Sequence, residues 1–181
     1  MKRSFLKLAA ATVVGVLISA CGGTDSGDDR TPGTLLEVAT RGTFSGLVLA
    51  ATKAGLVDEL SAANANVTLL APTNDAFGLL ANQLGYRTIA DMVDALPAST
   101  LESILLYHVL PSRISGPALL AGGTSQTTSL AQNSVTLALA VDTTGGIRVT
   151  DSVGRVGIVG LTDVPNDNGV FHVIDRVLLP K

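Results

Sequence analysis

The chain has 181 residues, a formal charge of −3 at pH 7, 15% charged residues and only 3% aromatics. Without a basic surplus it lacks the electrostatic footprint of a nucleic-acid-binding protein. Its single cysteine excludes an internal disulfide, so a folded domain must be held by its core.

The first residues read as an export signal. "MKRSFLKLAAATVVGVLISAC" opens with Lys2, Arg3 and Lys7 and then runs apolar from Leu8 to Ala20. That run is shorter than the roughly 20 residues that span a bilayer, so a permanent transmembrane helix is not expected. Ile18-Ser19-Ala20-Cys21 resembles the bacterial lipobox. The resemblance implies a leader over residues 1–20 and lipidation of Cys21, whose acyl chains would anchor the protein at about 0.8 kcal/mol per buried methylene. Removing Lys2, Arg3 and Lys7 leaves nine basic residues against fifteen acidic, a mature charge of −6. Residues 21–33, with "GGTDSGDDRTPG" after the cysteine, are polar and rich in glycine and aspartate, as a flexible tether would be. Gly22 and Gly23 stand where an inner-membrane retention aspartate would follow the cysteine. This favours the outer membrane in an organism that has one.

From residue 34 the pattern becomes that of a domain. Phe44, Leu47, Val48 and Ala51 recur at helical spacing, and Gly55 stands where a helix C-cap belongs. "VTLLAP", Val67 to Pro72, predicts a buried strand ended by proline. "TNDAFGLLANQLG" predicts a helix with Thr73, Asn74 or Asp75 as N-cap and Gly85 at its end. In "PASTLESILLYHVLP", Ser99 and Glu102 have capping-box spacing, and the helix should end near Tyr107. Beyond Gly122 the chain turns strand-like. "SVTLALAV" and "GIRVTD" should form a hairpin across residues 142–146, and "RVGIVGLTDV" should turn through "PNDNG" into "GVFHVIDRVLL". Helices gathered first and strands last predict an α+β domain over residues 34–181.

Three blocks, in order, resemble the fasciclin (FAS1, β-ig-h3) family. They are "VTLLAPTNDAF" (Val67 to Phe77), Tyr107-His108 with "VLP" after it, and "NGVFHVIDRVLLP" (Asn168 to Pro180). The resemblance implies a β-wedge with a cluster of α-helices, used for adhesion or binding. It gives Thr73, Asn74, Asp75, Phe77, Asn168, Gly169, His172 and Asp175 structural roles. It makes Tyr107 and His108 candidates for either packing or partner contact. An Asp-Ile segment linked to integrin recognition in animal members corresponds here to Asp163-Val164. Asn168-Gly169 is expected to supply a positive-φ turn.

The two histidines, His108 and His172, each lie in an apolar run and carry the main chemical question. As a metal pair they lack a third histidine, a free thiol or HExxH spacing, and Asp75 or Asp175 could complete a site only if the fold brought them together. No G-x-S-x-G elbow accompanies them, and "GRVGIVG" fits bulges or a tight backbone approach better than a phosphate loop. The packing reading has each imidazole bonded to backbone or carboxylate where helix meets sheet. No cofactor is expected. The expected function is that of a lipid-anchored, extracytoplasmic, non-enzymatic module. It would contact the membrane through Cys21 and a cell-surface or matrix protein or polysaccharide through its surface. The alternative is an accessory envelope protein with no external ligand.

Overall fold

The computed structural model describes residues 33–62, 66–121, 125–127, 136–141 and 146–181. The expected leader, Cys21, the tether up to residue 32 and the hairpin connection over 142–145 lie outside them.

Helix α1 (Leu35–Arg41) starts on a capping box: Thr34 Oγ1 accepts from the Glu37 amide, and the Glu37 carboxylate accepts from the Thr34 amide at 2.8 Å. Helix α2 (Ser45–Ala54) ends at Gly55, whose φ of 75° is the left-handed C-cap that the sequence predicts. The short α3 (Val57–Ser61) leads to strand β1 (Val67–Pro72). Helix α4 (Asn74–Gln83) follows, capped by Thr73, whose hydroxyl accepts from the Ala76 amide. Next come α5 (Ile89–Ala95) and α6 (Ala98–Tyr107), then the short β2 (Val109–Leu110). The capping box expected at Ser99 does not form. Pro97 occupies the N-cap with no side-chain cap bond, which puts Ser99 inside the first turn. There its carbonyl accepts from the Ser103 hydroxyl.

The second half runs through α7 (Gly116–Ala121), β3 (Ser125–Thr127), β4 (Thr136–Val141), β5 (Ile147–Thr150), β6 (Val156–Val164) and β7 (Gly169–Ile174). The described strands form one sheet in the order β2-β1-β7-β6-β5-β4-β3. All neighbours are antiparallel except β1 and β7, which run parallel from Val67↔Gly169 to Pro72↔Ile174. This parallel pair joins the first and last of the three sequence blocks.

Alternate residues of β1 and β7 serve two cores. Leu69, Ala71 and Phe171 face the helices, where Phe171 meets Phe44 edge-on with ring centroids 5.1 Å apart. Leu70 and Ile174 face the other way and pack with Tyr107, Leu119, Ile147, Val149 and Val159. The sheet thus curls over its own second face, and β7 is covered on both sides, as its apolar pattern predicts. Register shifts interrupt the β6–β7 ladder between Val159 and Leu161 and between Leu161 and Val164, and the first of them falls at Gly160, in the glycine-rich stretch.

One expectation fails at the "NG" turn. Gly169 does not lie among the positive-φ residues; its glycine is required by proximity. A Cβ there would stand 2.7 Å from the Val67 carbonyl oxygen and 3.0 Å from Leu35. The parallel pairing of β1 and β7 brings the two backbones together at this point.

Candidate functional site

The Tyr107-His108 block closes α6, and both side chains are fully buried. His108 Nδ1 lies 2.7 Å from the Ile104 carbonyl and therefore donates, while Nε2 accepts from the Leu178 amide at 2.9 Å. These partners fix one neutral tautomer. Burial lowers the pKa of the ring to about 4, against an opposing contribution from the Ile104 bond. Tyr107 Oη accepts from the Ser152 amide at 2.8 Å.

Behind this pair lies an ionic knot that sequence reading missed. Asp151, 5% exposed, accepts from the Val153, Arg155 and Leu179 amides and from Arg155 Nε. The knot joins the β5–β6 turn, where Gly154 takes φ 86°, to the chain's C-terminal segment. The signal was present as Asp-x-x-Gly in "DSVGR", a turn pattern.

His172 repeats the arrangement with its nitrogens exchanged. Nε2 donates to the Ile114 carbonyl at 2.8 Å, and Nδ1 accepts from the Asp163 amide at 3.1 Å. Its pKa is lowered by burial, against opposing contributions from the Ile114 bond and the Asp163 charge. In each ring one nitrogen must carry a proton for a carbonyl and the other must offer its lone pair to an amide. Neither therefore has an orbital free for proton transfer or metal ligation.

The remaining block residues are likewise engaged. Asn74 Oδ1 caps a neighbouring helix instead of its own, accepting from the Gly46 amide of α2 at 2.9 Å. Phe77 is buried against the face where Gly46 leaves room, and Asp75 is exposed in the first turn of α4. Asp175 accepts from the Ile158 amide at 2.7 Å and prolongs the β6–β7 contact. Asn168, 1% exposed, binds three backbone groups: the Leu35 amide and the Leu60 and Ala62 carbonyls.

Asp163 and Val164 point to different tasks. Asp163 holds a left-handed φ of 55°, and its two carboxylate oxygens accept from the Gly116 amide at 3.0 and 2.9 Å, at the start of α7. Val164 lines an open groove of about 590 Å³ with Val38, Arg41, Phe44 and Leu161, the last 56% exposed. Tyr107 and His108 present no surface, which removes them as direct partner contacts in the folded domain.

A sequence profile of the Fasciclin domain matches residues 42–180. The chain belongs to the fasciclin family. It is similar to Protein sll1483 of Synechocystis, with 36% identity over 160 residues covering 81% of this chain and 73% of that protein. It is also similar to human Periostin, at 29% identity over 62% of this chain and 12% of that much longer protein. The solved FAS1 domain pair of the insect cell adhesion molecule Fasciclin I superposes with a TM-score of 0.56 at 22% identity. The match covers 77% of this chain and 46% of that one, and it extends to the fold alone. The family is known in cell adhesion proteins, and fasciclin domains are generally non-enzymatic. In this fasciclin domain the motif residues are those that join helices, wedge and C-terminal segment.

Proposed function

We propose that the chain is a lipid-anchored, extracytoplasmic fasciclin module that works by contact and carries out no chemistry. Its membrane attachment is the acylated Cys21, with the outer membrane preferred where there is one. Its partners are cell-surface or matrix proteins or polysaccharide. The observation that carries the reading is the engagement of both imidazoles: His108 and His172 are each bonded at both nitrogens to backbone groups. The motif's ionisable rings thus serve the core, and contact is left to the exterior. The lipobox supports the anchor, and membership in a family of adhesion proteins supports the role.

Leu161 and Val164 in the open groove are the apolar surface best suited to such contact, because large exposed apolar groups supply the binding energy of an interface. The test combines Cys21→Ser with protease treatment of intact cells. Cys21→Ser should move the protein from the membrane to the soluble fraction, and the wild type should be cleaved from outside. Leu161→Asp should reduce capture of native envelope components without changing the melting curve. A wild-type protein protected from external protease, with capture unchanged in Leu161→Asp, would favour an internal accessory role instead.

A further inference from the structure

A second pocket lies between α2, α3, β1 and the end of α6. It encloses about 190 Å³ and is walled by Leu47, Leu56, Leu60, Leu69, Leu105 and Val109. Each of these six is buried, so the walls belong to the helix-side core. Among the described lining residues Glu59 alone is polar, and it stands exposed on α3 beside Asp58, also exposed.

Size and lining together define what fits. A cavity of roughly 150 Å³ with aliphatic walls holds one benzene molecule, so this one accommodates about seven carbons. Water is a poor occupant, because it needs two to four polar partners and the walls offer carbon. Among the described residues that line the pocket, the only charge is the carboxylate of Glu59, with Asp58 as its acidic neighbour. It attracts a cationic head and repels an anionic one. We propose that this pocket is a binding site for a small amphiphilic amine, its alkyl or aryl body of about seven carbons among the leucines and its ammonium group at Glu59.

The site is distinct from the open groove at Leu161 and from the histidine nodes, and it is independent of how the protein is anchored. The test uses the full chain carrying Cys21→Ser, so that no attached lipid competes. Methyl NMR follows addition of n-heptylammonium, n-heptanol and heptanoate. Saturable shifts are expected at the methyls of Leu60, Leu69 and Val109, with heptylammonium binding about tenfold tighter than heptanoate and heptanol between them. Glu59→Gln should cut the preference for amine over carboxylate, leaving only the weaker pull of Asp58, while heptanol binding persists. Leu106→Phe, at a half-buried lining position, should weaken all three ligands with the melting temperature within a few degrees of wild type.

The proposal is overturned if heptylammonium produces no saturable shift at these methyls. It is also overturned if heptanoate binds as tightly as the amine, or if the amine binds Glu59→Gln with its preference intact.

Discussion

Replacing Asn168 with alanine offers a quantitative test of how the domain is tied together. Its side chain is 1% exposed and makes three hydrogen bonds: from the Leu35 amide at 2.8 Å, and to the Leu60 and Ala62 carbonyls at 3.0 and 2.8 Å. These join the first residue of α1, the last turn of α3 and the start of β7. Alanine would leave one buried donor and two acceptors without partners. An unpaired buried group costs about 1–3 kcal/mol, and the carbonyls sit at the low end because each keeps a second lone pair, giving a loss of about 4 kcal/mol. For a domain of this size that corresponds to a melting temperature lower by roughly 10–15 °C. Asn168→Asp should be no better than alanine, since it restores the acceptor for Leu35 but turns a carboxylate oxygen toward two carbonyls. Urea and thermal unfolding followed by circular dichroism would measure both. An alanine variant within 1 kcal/mol of wild type would refute the assignment of Asn168 as a structural hub.

Two further outcomes follow from the site. Because the His108 pKa falls from 6.5 to about 4 on folding, the unfolded chain takes up the proton more readily. Its contribution to stability is full above pH 6.5 and is lost as pH drops toward 4, about 3 kcal/mol in all. The lowered pKa of His172 adds a loss of the same sign. Denaturant midpoints should therefore fall between pH 6.5 and 4, with a smaller fall in His108→Gln; equal stability across that range would contradict the burial argument. Asp163→Ala should cost about 1–2 kcal/mol, as it removes the acceptor for Gly116 and puts alanine in a left-handed conformation. Asp163→Asn, which keeps both features, should stay within about half a kilocalorie, as chemical unfolding would show.

Much of this domain was legible in the sequence because its signals are local. The strand over Val67–Pro72, the helix capped by Thr73 and the left-handed Gly55 each follow from a few adjacent residues. Local signals also misled. Two Ser/Thr-x-x-Glu patterns occur: the one at Thr34 forms a capping box and the one at Ser99 does not, because Pro97 already starts the helix. Asn168-Gly169 has the composition of a turn, yet each residue is set by distant groups, the amide by α1 and α3 and the glycine by the Val67 carbonyl. The parallel pairing of β1 with β7 spans about a hundred residues of chain and has no local trace. The burial of His108 and His172 was readable from their apolar neighbours. Their bonding partners, Leu178 and Ile114, were not, because they come from irregular segments with no periodic signal.

The most direct test of the account is long-range ¹H–¹⁵N NMR of the two imidazoles between pH 7.5 and 5. The bonding pattern requires His108 to carry its proton on Nδ1 and to stay neutral throughout, and His172 to carry its proton on Nε2 and to titrate below its ordinary value, with each protonated nitrogen slow to exchange. Rings that titrate together near their ordinary pKa, or that interchange tautomers, would mean that the motif's histidines are available for chemistry and that the domain is not held as described.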